Sequence, residues 1–458
     1  MIEITTARHP LPDGRLELLG AVDAVTGAMT RIESGGAALL VDCGIAQGRE
    51  AARWVFPEAA RDVGAVLLTH GHNDHVGSLP ILLDGGFDGP IYGTRATLEV
   101  AELVLRDGLS LSGASERDLR TFRRRFQELA RAVPYDRAVQ VPGFSGAATF
   151  REAGHILGSA SVDLASDGAR VIVSGDLGRP DSPILRDYCE SWGERPVDLV
   201  VMESTYGDRE HRCSHDDVER ELERIVRSAV ERRGHILVPA FAIGRTQTLL
   251  YHLNTLVEAR RVPNIPVAVD TPMGLRVTET YAESRRLFDA EALEKIARGD
   301  DPLDFDGLYA VWKERDSARL RDVPGPMLVI AGSGMCTGGR IVRHLQELLP
   351  LDSTTVLFVG FQAPGTPGRA IQEAAQERGR SGGPGARSAT VRLAHETVPV
   401  RATVETLSGL SAHADRLELL RWLRAIPSPR RIALHHGEPE AQLGFQRWAG
   451  ALMAKEAP

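Results

Sequence analysis

Thr69-His70-Gly71-His72-Asn73-Asp74-His75 decides how this chain is read. Four nitrogen or oxygen ligands fall within six residues, directly after the run Gly64-Ala65-Val66-Leu67-Leu68. That run has the length and apolar character of a buried strand. His70, His72 and Asp74 alternate, so an extended backbone would send them to one side. His75 adds a donor on the other. One ion cannot take all four from so short a loop without strain. Two adjacent ions can, sharing donors from elsewhere. Imidazole and carboxylate suit zinc, and also manganese or iron. Gly71 and Gly77 leave the backbone room to turn. The plain alternative, a polar loop with scattered histidines, is a poor account of so dense a pattern.

The remaining donors are expected at other strand ends. His155 lies in the turn Gly154-His155-Ile156-Leu157-Gly158. Asp176 follows Val171-Ile172-Val173, in Ser174-Gly175-Asp176. His436 follows the apolar stretch 432–434, in His435-His436-Gly437-Glu438, with His435 as its rival. Each alone reads as a turn residue; their joint presence lifts them all.

The rest of the 458 residues sets bounds. At 43% hydrophobic and 25% charged, the chain is ordinary for a globular protein, and its length suggests about two or three domains. A net charge of −8 excludes nucleic-acid binding through bulk basic charge. Cys43, Cys189, Cys213 and Cys336 are too far apart for a CxxC zinc unit, and fit a reducing compartment. No leader is read at the N-terminus and no membrane span anywhere. Strand signals recur at 15–20, 37–41, 169–174, 198–202, 235–238, 267–270 and 327–331. Helices are expected over most of 94–132 and over 214–232, 245–258, 338–349 and 416–425. Alternating strand pattern returns over 398–406. Arg117, Arg120, Arg124 and Arg131 are placed on one helix face, read as solvated rather than as a track for nucleic acid. The Gly/Arg/Ser stretch at 379–388, with Arg378, Arg380 and Arg387, reads as a flexible connector.

Together these residues resemble the metallo-β-lactamase superfamily, and within it the β-CASP ribonuclease family, over nearly the whole chain. Asp42 in Val41-Asp42-Cys43-Gly44 matches a residue that supports the metal loop. His70, His72, Asp74, His75, His155 and Asp176 match the next three motifs. Glu203 in Glu203-Ser204-Thr205-Tyr206-Gly207 matches motif A, His413 in Ser411-Ala412-His413-Ala414-Asp415 motif B, and His436 motif C. Pro239-Ala240-Phe241, Asp270-Thr271-Pro272, Gly332-Ser333-Gly334-Met335 and Gly360-Phe361-Gln362 look like the family's cap. DNA-processing members typically lack a motif C histidine, so His436 points to RNA.

The resemblance implies an α/β fold: a metallo-β-lactamase αββα sandwich with an inserted β-CASP cap. The expected parts are residues 1–206 and 399–458 for the sandwich and 207–398 for the cap. It implies two zinc ions, with manganese or iron as alternatives, one on His70, His72 and His155, the other on Asp74, His75 and His436, with Asp176 between them. It implies hydrolysis of single-stranded RNA by water activated between the ions, leaving 5′-phosphate and 3′-hydroxyl ends. Cutting is expected within the strand, with exonuclease activity allowed. Asp74 would orient the water. His413 would be the general acid, held by Glu203; the bland reading makes it a neighbour of a helix cap formed by Ser411 or Asp415. Ser333, Gly334, Arg245, Thr366 and Ser411 are expected at substrate phosphates, against plain turn chemistry. A stand-alone cytoplasmic enzyme is expected, with a homodimer allowed. The rival functions are a metal-dependent hydrolase of a small ester, thioester or lactam, and a catalytically weak RNA-binding subunit.

Overall fold

The computed structural model describes residues 2–3, 7–48, 50–211, 213–380 and 389–456. The chain divides into two compact units. The first comprises residues 1–211, 287–289 and 412–458, the second 212–286 and 290–411.

The first unit holds two seven-stranded sheets. In one, Arg8–Leu11, Gly14–Gly20, Met29–Ser34 and Ala37–Val41 run antiparallel in sequence. Ala65–Leu67, Ile91–Gly93 and Ala130–Ala132 continue it in parallel. In the other the order is Ile2–Glu3, Ile432–His435, Leu199–Glu203, Arg170–Val173, Ala160–Ser166, Gly146–Glu152 and Val139–Gln140. Its strands at 170–173, 199–203 and 432–435 are parallel neighbours. The two-residue period of a strand settles which side chain goes where. Val171, Val173 and Val201 join Leu16, Ile32, Leu39, Val41 and Leu67 in one core between the sheets. Ile172, Val200 and Met202 face the other way, onto Leu419, Trp422 and Leu423 of the helix Arg416–Ala425 and Phe445 of Pro439–Glu456. The helices Arg95–Leu111 and Glu116–Leu129 pack together, the former against Ile91–Gly93. The layers are helix, sheet, sheet, helix. Strands covered on both faces read as unbroken apolar runs.

The second unit is built on a six-stranded sheet, ordered Leu308–Ala310, Val267–Asp270, Leu328–Ala331, Ile236–Pro239, Thr355–Phe358 and Thr403–Thr406. Every pairing in it is parallel. Here the expected boundaries move. The resemblance places residues 399–406 in the sandwich, but Glu396–Pro399 pairs with Thr390–Leu393, and Thr403–Thr406 forms the edge beside Thr355–Phe358. Val398, Val400 and Ala402 are buried in that unit's core with Phe358 and Leu393. Alternation identifies a strand but not the sheet it joins. The chain leaves the first unit after His211, not at 206, and returns at Ala412.

Two arginine readings also change. The helix Glu116–Leu129 stops short of Arg131, whose guanidinium donates to the carbonyls of Glu128 and Ala130 at 2.8 and 2.9 Å, so Arg131 shares no face with Arg117, Arg120 and Arg124. Arg378 belongs to the helix Pro367–Arg380 and donates to the carbonyls of Val400 and Ala402 at 3.1 and 2.9 Å. Residues 381–388 of the expected connector, Arg387 among them, lie outside the described residues. Among the described residues no helix is long and apolar enough to cross a membrane.

Candidate metal centre

The carboxyl ends of parallel strands bring the site residues together. Asp42 follows Ala37–Val41, His70 lies just beyond Ala65–Leu67, and Asp176 just beyond Arg170–Val173. Glu203 ends Leu199–Glu203, and His436 follows Ile432–His435. This rim is where the loops of a parallel sheet converge. Asp42 has a left-handed backbone (φ 62°) that brings its carboxylate under the histidine loop. Its two oxygens accept the Thr69 amide at 2.8 Å and the Thr69 hydroxyl at 2.7 Å. Gly71 is needed because a Cβ there would stand 2.6 Å from Val100 Cγ1.

The expectation that His70, His72 and Asp74 project together from an extended strand holds only as far as His72. His72 is extended (φ −69°, ψ 150°) and caps the one-turn helix Asn73–Val76. The amides of His75 and Val76 both donate to its carbonyl at 3.0 Å. Winding starts there, so Asp74 and His75 fall into a different group from His70 and His72.

The first group is His70, His72, His155 and Asp176; the second is Asp74, His75 and His436. Within each group the donor atoms lie within 4.8 Å of one another. In the first, His72 Nδ1 is 3.0 Å from His70 Nε2 and 3.3 Å from His155 Nε2. Asp176 Oδ2 is 3.5 Å from both Nε2 atoms. In the second, His436 Nε2 is 3.4 Å from His75 Nε2 and 3.5 Å from Asp74 Oδ2. Asp176 Oδ1 lies 3.2 Å from His75 Nε2, so this one carboxylate turns an oxygen to each group. His435 points elsewhere and donates from Nε2 to the Gly20 carbonyl at 3.1 Å, which separates it from His436.

Four of the five imidazoles have a partner at Nδ1 that bears on where the proton sits. His155 Nδ1 faces the Ala412 carbonyl at 3.1 Å, and a carbonyl only accepts. His75 Nδ1 faces Asp42 Oδ2 at 2.7 Å. His70 Nδ1 meets the Thr69 hydroxyl at 3.1 Å, whose own proton goes to Asp42. His436 Nδ1 meets the Thr205 hydroxyl at 3.2 Å, whose proton goes to the His436 carbonyl, and lies 3.3 Å from Asp176 Oδ1. The Nε2 lone pairs of His70 and His155 therefore face inward, and a divalent ion would draw on those of His75 and His436 in place of a proton, with outer partners orienting the rings as they do for ligating histidines. Burial drives the pKa of His70 and of His155 well below the usual imidazole range, and that of His72 down to about 4. Neutral His70 and His155 thus aim lone pairs at a carboxylate oxygen, an arrangement that a shared cation would favour. Burial also works against protonation of His75, but Asp176 and then Asp42 outweigh it and lift that pKa well above its usual range. Burial raises Asp74, yet the His436 hydrogen bond and His75 hold it down to about 2. Asp176 Oδ1 is buried and has no hydrogen bond of good geometry, although His75 Nε2 and His436 Nδ1 lie 3.2 and 3.3 Å from it. The residues present fit a pair of divalent cations by donor type, tautomer and charge.

Beside the two groups, His413 Nδ1 is 3.2 Å from Glu203 Oε1. Glu203 is buried and anchored by the amides of Leu177 at 2.7 Å and Thr205 at 3.2 Å. The His413 ring stands 4.5 Å from that of His155, centroid to centroid. Burial penalises its charged form, but the Glu203 carboxylate outweighs that and raises its pKa to about 10. Asp415 does cap the helix Arg416–Ala425, accepting the amides of Leu417 and Glu418 at 2.9 and 3.1 Å. The cap and the imidazole pair are thus neighbours, not alternatives.

The residues expected at phosphates belong to the second unit. The Ser333 hydroxyl accepts the amides of Thr337 and Gly338 at 3.0 and 3.3 Å. The Gly334 carbonyl accepts Gln362 Nε2 at 2.9 Å, which ties the two glycine-rich turns together. The Thr366 hydroxyl donates to the Ala363 carbonyl at 2.7 Å. Arg245 opens the helix Arg245–Glu258, and Ser411 is the unit's last residue. The hydroxyls of Ser333 and Thr366 are engaged in turn chemistry. The residues that sequence reasoning missed are the orienting ones, Thr69, Thr205 and Leu177. Thr69, next to His70, was the one with a visible signal.

Models of three families match in order along the chain: the metallo-beta-lactamase superfamily over residues 22–240, the Beta-Casp domain over 246–371, and the Zn-dependent metallo-hydrolase RNA specificity domain over 397–455. Ribonuclease TTHA0252 of Thermus thermophilus is 38% identical over 94% of this chain and 95% of its own. This chain belongs to the β-CASP branch of the metallo-β-lactamase superfamily. Transcription termination factor FttA of Methanocaldococcus jannaschii is 29% identical, over 96% of this β-CASP chain and 70% of its own. A crystal structure of a protein of unknown function from Enterococcus faecalis has the same fold, with a TM-score of 0.54 at 11% identity, over 94% of this chain and 95% of its own.

Proposed function

We propose that this β-CASP protein is a metal-dependent ribonuclease that cuts within single-stranded RNA, using two zinc ions held by the two ligand groups that share Asp176. The carrying observation is that Asp176 turns Oδ2 to the first group and Oδ1 to the second, with the carboxylate-paired imidazole of His413 alongside. Bound divalent ions would lower the pKa of a water enough to supply a nucleophile near neutrality. The protein's own residues do the rest. Asp74, kept ionised, orients the water by accepting its hydrogen bond. His413 carries its proton to the leaving 3′ oxygen from Nε2, because Glu203 occupies Nδ1. The products are 5′-phosphate and 3′-hydroxyl ends. The ribonuclease from Thermus thermophilus supports RNA as the substrate. The small number and wide spacing of Cys43, Cys189, Cys213 and Cys336 support a reducing, cytoplasmic setting.

Hydrolysis of a small ester, thioester or lactam would need the ions but has no use for a proton donor as elaborate as the Glu203–His413 pair. Circular single-stranded RNA tests the claim directly. The purified protein should linearise and then fragment it, and His413→Ala should abolish this. Consumption of linear RNA alone would reject cutting within the strand. Equal activity of H413A on RNA would reject the assigned acid. Sizing the protein in solution tests the homodimer that the family resemblance allows.

A further inference from the structure

His413 sits in an irregular strap, residues 412–415, ahead of the helix Arg416–Ala425. An imidazole that must meet a leaving oxygen needs its main chain fixed as well as its ring. Most of the fixings come from elements already described. The Ala412 carbonyl accepts from His155 Nδ1 at 3.1 Å. The Ala414 amide donates to the Leu177 carbonyl at 2.9 Å, and His413 bridges to Gly178. The His413 carbonyl is held by a residue outside the two groups that share Asp176, namely His211, which stands with Asp415 and Glu418. His211 Nε2 lies 2.9 Å from that oxygen and must carry the proton, since a carbonyl only accepts.

His211 is itself tightly placed. Its amide donates to Asp415 Oδ2 at 2.8 Å. Its side chain is 12% exposed, with Glu418 Oε2 3.8 Å from Nε2. The Tyr206 ring meets the His211 ring edge-on at 5.8 Å and the His413 ring at 5.9 Å. Asp415 and Glu418 near it are already engaged in the helix cap. That leaves His211 as a donor to the strap, not a ligand of a further ion.

We propose that His211 is a positioning residue for RNA cleavage: its Nε2–H holds the main chain of His413 and so sets where the His413 imidazole delivers its proton. The inference rests on the reading of His413 as general acid, and the test separates the two. The enzyme, loaded with zinc, is assayed on single-stranded RNA and on the same RNA with sulfur replacing the 3′ oxygen of one linkage. A thiolate leaves without protonation, so loss of the acid should matter on oxygen and little on sulfur. His211→Ala should lower kcat on the oxygen substrate by about 10–100-fold, the usual cost of a small misplacement. KM and bound zinc should stay unchanged, and the sulfur linkage should be cut at nearly the wild-type rate. His211→Gln, which keeps a side-chain N–H, should recover much of the loss. If the alanine variant does not fold, His211→Leu, which fills the space without a donor, takes its place. Equal losses on both substrates, or no loss, would overturn the positioning role while H413A is still rescued by sulfur. If H413A is not rescued, the reading of His413 itself fails.

Discussion

Replacing Asp42 by Asn perturbs the centre from outside, without removing a ligand. Asp42 is 3% exposed and accepts three hydrogen bonds, from the Thr69 amide, the Thr69 hydroxyl and His75 Nδ1. Asn tolerates the left-handed backbone at this position about as well as Asp, so the backbone is not the variable. The amide has one acceptor oxygen. If that oxygen keeps the Thr69 amide, the new NH2 faces Thr69 Oγ1 and His75 Nδ1. His75 can then avoid a clash of donors only by moving its proton to Nε2, the atom 3.4 Å from His436 Nε2. The second ligand group loses a lone pair, while His155 in the first, held by the Ala412 carbonyl, keeps its own. Loss of such an orienting partner costs about 10–100-fold in metal affinity, or about 1.4–2.7 kcal/mol. Two charge-assisted hydrogen bonds are lost as well, about 1.5–3 kcal/mol each at most. Titration of metal-stripped protein with zinc by calorimetry reads the first effect, and urea unfolding reads the second. The expected result is one site near wild-type affinity and one weakened site. Two sites of unchanged affinity would refute the tautomer argument.

Two further substitutions separate neighbouring roles. Glu203→Gln removes the carboxylate that raises the His413 pKa. An acid must be protonated to act, so activity falls as pH rises through its pKa. The alkaline limb of kcat should therefore move to lower pH with bound metal unchanged, and an unmoved limb would contradict the pairing. His436→Ala should leave one bound ion. His435→Ala should keep both and cost about 1–3 kcal/mol of stability, because the Gly20 carbonyl loses its donor. Metal analysis and urea unfolding distinguish the two, and the reverse pattern would reject the assignment of His436.

Much of this was legible in the residues, for a physical reason. A short apolar run ending in a dense His/Asp loop leaves few ways to bury the strand and keep the ligands at its end, and the helices Arg245–Glu258 and Arg416–Ala425 fall where their apolar spacing puts them. The failures share a cause, namely information that is not local. Asp74 alternates with His72 in sequence, yet a helical turn begins between them, closed by amides that the pattern cannot display. Residues 403–406 alternate as any edge strand does, and only pairing with Thr355–Phe358 tells which sheet they enter. Arg131 follows the helix period but sits one strand too late. The orienting partners of the imidazoles, Thr69, Thr205 and the Ala412 carbonyl, are common groups whose role comes from where folding puts them.

Paired cations at His70, His72, His155, Asp74, His75, His436 and Asp176 would make RNA cleavage chemistry available to the chain. The most direct test is elemental analysis of protein purified without chelator, joined to an RNA cleavage assay before and after metal removal. The expected result is two equivalents of divalent metal per chain, with cleavage lost on stripping and restored by zinc. Full cleavage by protein carrying far less than one equivalent would contradict it.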